Sequence, residues 1–558
     1  MTKPIYVLGT GLSHDGSAVL LKDGRVCVGI EKERVTRRKH DGGNDSAAIE
    51  YCLQAEGIAL SDVALVVQCA NFEVPPRDRY GGPRPFVDTA HPPLVSISHH
   101  LAHAWSAAGT TPFDACAILV IDGCGNPHAQ CTDLTGGTVW HDGGATGWEK
   151  DSFYRFDGRD VQPLLKDFSA MAGVGSGPIT LPTTRHSIGG FYSAVSHHVF
   201  GNLDDAGKLM GLAPYGRPGA IGEDALALRG GRLTVLDGWQ AALGAPARDY
   251  SDFRAQFQRF ADIAHWAQRQ VERAVTAVAR DRLARFPADR LCYSGGVALN
   301  AVANARLIDE GVVEHLYMEP AAGDNGLALG CAFHGWMKVL GRDRVRHDGS
   351  TCFGQSYDAA RIDRALVDAP AEWMIAALAD DDLLRRVAAL LAKGKTVGWF
   401  RDGSEFGPRA LGHRSILAHP GIAGLGDHIN AAVKFREDFR PFAPAVLPEH
   451  AADWFASGRD SPYMILVDRT RPEHREALRN VTHIDGTARV QTVDRRWNPV
   501  FAQLLDAFHA ATGIPVLLNT SFNKRGQPIV ETPAEAVALF AEGALDALVL
   551  QDRLVTKR

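Results

Sequence analysis

The chain has no apolar run approaching the roughly 18 residues that a membrane-crossing helix needs, so the sequence predicts no membrane partner. Cysteine is scarce, 9 in 558 residues, and no two are spaced as Cys-x-x-Cys. That excludes a zinc ribbon and suggests a reducing, cytoplasmic setting. Positive charge is not in excess: 59 Lys and Arg stand against 65 Asp and Glu, a net charge of −6. A basic surface for nucleic acid is therefore not expected. There is no Walker A loop, no Gly-x-Ser-x-Gly elbow and no low-complexity segment. Met1 to Ser13 run directly into a strand-like segment, without the charged and apolar regions of a signal peptide. What remains is globular composition, 45% apolar and 22% charged, which rules out disorder, collagen and coiled coil as the architecture. Three or four compact units of about 150 residues fit the length, with cores large enough to need no disulfides.

The hydrophobic pattern reads as α/β. Tyr6 onward forms a strand ending at Gly9 to Gly11, and Ser17 to Leu21 turns back at Asp23-Gly24, a hairpin signal. A similar strand, glycine loop, turn and strand recur about 110 residues later: Ala115 to Ile121, Asp122-Gly-Cys-Gly125, Gly136-Gly137 and Thr138 to His141, which suggests a duplication. Ile263, Trp266, Val271, Val275 and Val278 mark an amphipathic helix feeding the strand Leu291-Cys-Tyr; His315 to Met318 reads as another strand. A new α/β region follows: a helix from Asp382 to Lys393 closed by Gly394, the strand Thr396 to Phe400, and a helix from Asn498-Pro499 to Gly513. The strand Pro515 to Leu518 and a capping box at Thr532-Pro-Ala-Glu535 complete it. Two domains result, residues 1–355 and 370–558, strands alternating with helices in each.

Four groups carry chemistry. Ser98-His-His-Leu-Ala-His103 opens a helix with Ser98 as N-cap, and His99 and His103 share one helical face while His100 points about 100° away. With 22 His in the chain, roughly one such spacing is expected by chance. Asp122 at a strand end and Asp324 in a glycine-flanked loop alter that balance, because strand ends facing a crevice are where α/β folds place ligands. Two imidazoles and two carboxylates suit iron, manganese or zinc. Ser294-Gly-Gly296 and Gly323-Asp-Asn-Gly326 join strands to helices, where backbone N–H groups can hold phosphate or simply make tight turns. Glu405-Phe-Gly-Pro-Arg-Ala-Leu-Gly-His-Arg414, Lys434, Arg436, Arg440 and Arg489 concentrate cations in stiff Gly/Pro-bounded segments suited to phosphate. Glu405, Glu437 and Asp438 are placed to neutralise part of that charge, and Asn519-Thr-Ser-Phe-Asn523 adds short polar side chains. His14, after the first glycine loop, has the chemistry of a general base.

These segments together resemble the ATP-dependent O-carbamoyltransferases of antibiotic tailoring and nodulation-factor synthesis. The matching stretches, in family order, are His14-Asp-Gly-Ser-Ala18, His99-His-Leu-Ala-His103, Ile121-Asp-Gly123, Lys208-Leu-Met-Gly-Leu-Ala-Pro-Tyr-Gly216 and Ser294-Gly-Gly-Val-Ala-Leu-Asn300. Gly323-Asp-Asn-Gly326, Phe406-Gly-Pro-Arg-Ala-Leu-Gly412, Phe439-Arg-Pro-Phe-Ala-Pro444, Thr482-His-Ile-Asp-Gly-Thr-Ala-Arg489 and Asn519-Thr-Ser-Phe-Asn523 follow. The resemblance implies a duplicated actin/sugar-kinase-type (ASKHA) domain carrying a metal, followed by a YrdC-like α/β domain. It implies that carbamoyl phosphate and ATP yield carbamoyl-adenylate in the second domain. The first would pass the carbamoyl group to a hydroxyl of a small molecule, a sugar hydroxyl of an antibiotic. Carried over, His99, His103, Asp122 and Asp324 bind a divalent metal, Fe2+ by analogy, and His14 activates the acceptor. Gly295, Gly296 and Asn300 lie against the nucleotide. Arg409, Lys434 and Arg440 act in catalysis, and Arg489, Asn519 and Ser521 bind substrate, with Mg2+ accompanying ATP.

Leu12 and Ser13 ahead of His14 bring no carboxylate before Asp15, a hint of a neutral acceptor rather than a polyamine. Segments 140–190 and 220–260, which match no motif, are candidates for the acceptor pocket. A tRNA-modifying threonylcarbamoyl enzyme and a nucleotide-regulated scaffold are the alternatives; the net charge of −6 weighs against the first and the framed arginines against the second.

Overall fold

The computed structural model describes residues 3–70, 86, 92–141, 147–170 and 186–557. It divides into two compact units: Met1–Lys32 with His40–His347, and Glu33–Lys39 with Asp348–Arg558. The sequence does not announce the short excursion at Glu33–Lys39. The break at His347/Asp348 falls within residues 340–370, the stretch rich in Arg, Asp and Gly that reads from composition as a connection.

The first unit holds two sheets with the same plan. In one, β1 (Tyr6–Leu12) pairs antiparallel with β2 (Ser17–Lys22), which pairs antiparallel with β3 (Arg25–Glu31). On its other side β1 runs parallel to β4 (Val63–Ala70), and β4 to β5 (Leu94–Ile97), giving the order β3-β2-β1-β4-β5. The β2–β3 turn is Asp23-Gly24, with φ of 49° and 82°, the left-handed pair that a two-residue hairpin requires. In the other sheet β6 (Cys116–Ile121) takes the place of β1, between antiparallel β8 (Gly147–Phe156) and parallel β12 (Arg290–Ser294). β9 (Val161–Ala170) lies beyond β8 and β13 (His315–Met318) beyond β12. This is the duplicated actin/sugar-kinase-type fold. The repeat is offset from its sequence signal, however. β7 (Thr138–His141) is an added edge strand beside β9, and the true counterparts of β2 and β3 are β8 and β9.

Segment 140–190, read as a pocket candidate, therefore contributes sheet interior: Phe153, Tyr154, Leu165 and Phe168 are fully buried. Its residues 142–146 and 171–185 lie outside the described residues. Segment 220–260 forms the hairpin β10–β11 (Leu226–Arg229, Arg232–Val235) and the short helices Trp239–Leu243 and Tyr250–Ala255. The expected amphipathic helix spans Phe257–Arg285 and buries Ile263, Trp266, Val271, Val275 and Val278.

Each sheet sends one helix across to the other. Helix His99–Thr110 follows β5 yet packs mainly on β6, β8 and β12, and helix Leu327–Phe333 follows β13 yet packs on β1, β2 and β4. Every side chain of both helices is buried. The two helices touch backbone to backbone at Gly330, where any Cβ would sit within the van der Waals radius of the Ala102 carbonyl oxygen.

The second unit is a mixed sheet. Its order is β14 (Trp373–Ala377), β23 (Arg553–Lys557), β22 (Ala547–Leu550), β15 (Val397–Phe400), β16 (Arg414–Ala418), β21 (Val516–Ser521), β17 (Ala443–Val446) and β20 (Gln491–Thr492). β18 (Asp468–Arg469) and β19 (Thr487–Ala488) form a separate short ladder. Alternate residues face opposite cores. Val397, Trp399, Ala547 and Val549 meet helices Asp380–Ala392 and Pro499–Thr512, while Phe400, Leu548 and Leu550 meet helix Pro533–Ala541. The capping box at Thr532 and Glu535 forms as expected.

Gly330→Val is expected to cost about 3 kcal/mol or more, because backbone rather than a movable side chain opposes the added atoms. Gly207→Ala, in helix Ala206–Leu212 with open space around the added methyl, should leave the melting temperature unchanged or slightly raised. Thermal unfolding of both variants checks the pair.

Candidate functional site

The helix crossing brings the four proposed metal ligands together. His99 and His103, one turn apart, point their Nε2 atoms at each other across 3.2 Å. Asp122, just past β6, places Oδ2 2.8 Å from His99 Nε2 and 3.8 Å from His103 Nε2. Asp324, opening the turn before helix Leu327–Phe333, places Oδ1 3.5 Å from both. All four donor atoms lie within 4.8 Å of one another and all four residues are buried. His100 points elsewhere, to Ser152 Oγ at 2.8 Å, as the helical geometry predicts.

Two buried carboxylates require positive charge beside them. Burial pulls the His99 imidazolium down, but the Asp324 charge and hydrogen bonds to Asp122 and Asp324 raise it well above its ordinary range. Burial and the Asp324 charge push Asp122 up, but the hydrogen bond from His99 together with the charges of His99 and His103 outweighs both and holds it at about 2. A proton on the His99 imidazole thus supplies balancing charge at the point where the donor atoms converge. That donor set, nitrogen and carboxylate oxygen without cysteine, fits a divalent transition metal.

The helix that presents these histidines is anchored by groups that sequence reasoning missed. Ser98 sits at the N-cap, but its hydroxyl accepts nothing from the helix. It donates to Asp133 Oδ1 at 2.7 Å, and the His99 N–H goes to Asn126 Oδ1 at 2.7 Å. Buried Lys166 lies 2.6 Å from Asp133 Oδ1 and 2.5 Å from Glu149 Oε1, and Glu149 Oε2 accepts the Asn126 N–H at 2.9 Å. Strands β8 and β9 supply Glu149 and Lys166; no local motif marks them.

His14, half exposed at 51%, turns Nε2 toward Asp324 Oδ2 at 3.4 Å and Nδ1 toward Asp15 Oδ2 at 3.2 Å. Burial opposes its protonation, but the charges of Asp15 and Asp324 win and raise its pKa to about 10. Asp15 Oδ1 also lies 2.8 Å from His40 Nδ1, a residue the motifs did not select.

Gly295, at φ 93°, fits so closely under Ile121 that only glycine is accommodated. The Gly296 N–H donates to Asp122 Oδ1 at 2.9 Å, so this glycine turn positions a cluster carboxylate. Asn300 caps helix Ala301–Asp309 through Ala303 N–H and exchanges amide hydrogen bonds of 3.0 Å with Gln268.

In the second unit the cations do converge. Burial lowers the Lys434 ammonium well below its usual range, helped by Arg436 and Arg440. Arg489 is lowered strongly in the same way, by burial and then by Arg409, Arg436 and Arg440. Burial and Arg440 bring Arg409 to about 10 and Arg436 to about 9, with Glu437 opposing the latter. Lys434 donates to Ser521 O at 2.6 Å, Ser521 Oγ at 3.1 Å and Asn523 O at 2.9 Å. Asn519 Nδ2 donates to Gln491 Oε1 at 2.8 Å. Among the described residues the buried Nε atoms of Arg409 and Arg489 find no acceptor.

Not every charge read into this cluster belongs to it. Glu405 accepts the N–H groups of Leu411, His413 and Arg414 at 2.7, 2.8 and 3.2 Å, so its charge fixes the loop that carries Arg409. Arg34 of the excursion donates to the Glu405 and Gly407 carbonyls of that loop. Arg414 is fully buried, stacked 3.6 Å over the Phe400 ring and bonded to the Arg401 carbonyl at 2.8 Å. Glu437 sits 3.8 Å from Arg440 and 3.1 Å from Arg525.

The sequence features of the carbamoyltransferase N-terminus are matched by residues 7–73 and 85–333, and those of the carbamoyltransferase C-terminus by residues 388–557. The chain is 35% identical to nodulation protein NolNO of Sinorhizobium fredii, over 98% of this chain and 79% of that one. It is 28% identical to the 3'-hydroxymethylcephem-O-carbamoyltransferase of Amycolatopsis lactamdurans, over 97% of each. Among solved structures, full-length HypF in its phosphate- and nucleotide-bound form aligns with 60% of this chain and 56% of that one, at 14% identity and a TM-score of 0.37.

Replacing His99 or His103 by Ala is expected to weaken divalent-metal binding at least about 100-fold, since each removes a donor from a set of four. Elemental analysis after dialysis against graded free metal checks it. Full loading of both variants would exclude this cluster as the metal site.

Proposed function

The chain belongs to the carbamoyltransferase family, and from that premise we propose a two-step O-carbamoyl transfer. In the first step carbamoyl phosphate and ATP give carbamoyl-adenylate, with release of phosphate and pyrophosphate, in a YrdC-like second unit. In the second step the first unit moves the carbamoyl group to a hydroxyl of a small-molecule natural product, in the most specific form a sugar hydroxyl of an antibiotic. The carbamoyltransferase relative from Amycolatopsis, whose name specifies an O-acceptor, supports the hydroxyl.

One observation carries the division of labour: the two units concentrate opposite charge. The second unit buries Arg409, Lys434, Arg436 and Arg489 with Arg440 beside them, and burial first, then the charges of these neighbours, depress the protonation of those four. A polyphosphate entering there relieves that repulsion, and the fixed guanidinium groups stabilise charge as the mixed anhydride forms. Asn519 and Ser521 orient the same ligand. Mg2+ would accompany ATP.

In the first unit His99, His103, Asp122 and Asp324 would hold the divalent cation, Fe2+ in this reading. When bound it supplies Lewis-acid polarisation of the carbamoyl carbonyl. Gly295, Gly296 and Asn300 would lie against the adenylate. His14 Nε2 faces the same place and takes the acceptor's proton as the C–O bond forms. A cation against Asp324 would offset one of the two carboxylate charges, Asp15 and Asp324, that hold His14 protonated, and so lower its pKa. The 9 cysteines, with no disulfide formed among the described residues, support a reducing cytoplasm. Among the described residues no helix is long and apolar enough to cross a membrane.

Two measurements test the division. Arg440→Ala should slow carbamoyl-phosphate-dependent exchange of labelled pyrophosphate into ATP roughly 30- to 1,000-fold, a loss of roughly 2–4 kcal/mol of transition-state stabilisation. Wild-type exchange would remove Arg440 from the first step. His14→Asn should slow transfer from chemically supplied carbamoyl-adenylate by about 10²–10⁴, with metal content unchanged. Transfer at the wild-type rate would make His14 structural.

A further inference from the structure

The proton acceptor proposed above leaves its second ring nitrogen to be accounted for. His14 Nδ1 lies 3.2 Å from Asp15 Oδ2, and the other oxygen of that carboxylate lies 2.8 Å from His40 Nδ1. One carboxylate thus bridges two imidazoles. Because a carboxylate only accepts, the nitrogen each ring turns to it is the one that carries hydrogen. For His14 both ring nitrogens face carboxylates, Nδ1 Asp15 Oδ2 at 3.2 Å and Nε2 Asp324 Oδ2 at 3.4 Å; of the two carboxylates only Asp324 belongs to the metal-ligand set, so with a cation bound there Asp15 is left to keep the hydrogen on Nδ1 and Nε2 carries the lone pair.

His40 is not there by default of the chain. Its φ is 54°, a left-handed conformation uncommon for any residue but glycine. The residues after it bind it to the His14 loop. Gly43 N–H donates to Ser13 O at 2.9 Å, and Gly16 N–H to Asp41 O at 3.1 Å. Gly42 lies so close to His14 that a Cβ would meet the His14 Cα at 2.7 Å. Lys32 fastens the far side, donating to Gly42 O at 2.6 Å and pairing with Asp41 at 3.2 Å. An unfavourable backbone angle, two glycines and a buried lysine are all used to bring a partly exposed imidazole onto Asp15.

We infer that Asp15 is the positioning residue of His14, fixing its tautomer and ring orientation for proton abstraction, and that His40 holds Asp15 in place for that task. The inference rests on reading His14 as the acceptor-activating base. It assigns a role to two residues outside the metal ligands and the cation cluster. Water can serve as the probe acceptor. Its oxygen adds to the carbamoyl carbon, its proton passes to His14 Nε2, and AMP leaves with the bonding electron pair, giving carbamate.

The test uses metal-loaded full-length protein labelled with 15N-histidine, with His14→Asn identifying the His14 signals. In the wild type the His14 Nδ1 should show a bonded proton and Nε2 none in the neutral ring. Asp15→Asn should lose that preference and slow AMP release from carbamoyl-adenylate by about 10²-fold or more, at unchanged metal content. Asp15→Glu should recover part of the rate. His40→Gln, which keeps a donor toward Asp15, should stay within about threefold of wild type, whereas His40→Leu should fall about tenfold. An Asp15→Asn enzyme that keeps both tautomer and rate while His14→Asn is slow would overturn the clamp and leave the base in place. Wild-type rate in His14→Asn would overturn both. Should Asp15→Asn fail to fold, the His40 pair decides: equal rates for His40→Gln and His40→Leu would overturn the role given to His40 and with it the clamp.

Discussion

Two carboxylates, Asp122 and Asp324, are buried within reach of the same two imidazoles, and the rest of the first unit is arranged around that concentration of charge. Left without a positive partner it would be prohibitive to bury. The fold meets the demand by bringing two carboxylates from the second repeat onto two histidines from the first. Asp122 ends the central strand of the second sheet, and Asp324 precedes the helix that crosses to the first. The histidines ride on the opposite crossing helix. The site therefore exists only when both lobes are formed and the helices are in contact, which ties Gly330, packed on the Ala102 backbone beside His103, to the geometry of the cluster.

The second unit poses the inverse problem. Its cations are not cancelled by the acidic residues near them in sequence, because Glu405 is consumed by loop N–H groups and Glu437 is divided between Arg440 and Arg525. Repulsion among held arginines is a cost the folded chain carries in advance. It is recovered when an anion of matching charge arrives, which is the meaning of preorganisation in electrostatic terms.

Legibility in the sequence followed the range of the interactions. The His99/His103 spacing, the Asp23-Gly24 turn and the Thr532 capping box are local, and each reads directly from adjacent residues. Helix Phe257–Arg285 declares itself by periodicity alone. The duplication was visible at β1 and β6 but misplaced afterward, because a glycine turn and a short strand imitated β8 and β9. Asn300 carried a motif yet serves as a cap, a role that its position before helix Ala301–Asp309 explains. Lys166, Glu149, His40 and Arg34 act on partners distant in sequence or lack a spacing rule, so no pattern marked them. The family resemblance located the candidate residues and left their supporting partners unnamed.

The excursion at Glu33–Lys39 bears on how this gene can be divided. Cutting at His347/Asp348, where the chain offers an obvious seam, would yield a C-terminal fragment without Arg34 and Arg37. The Glu405 and Gly407 carbonyls would lose the Arg34 guanidinium, and Pro528 and Ile529 would lose the Arg37 donors that reach them at 2.9 and 2.7 Å. The fragment is thus not a self-sufficient module, and a seven-residue peptide from near the start of the chain is part of its architecture. Fusion, domain exchange and recombination between paralogues have to carry that peptide along with the later half, a constraint that keeps the two halves inherited together.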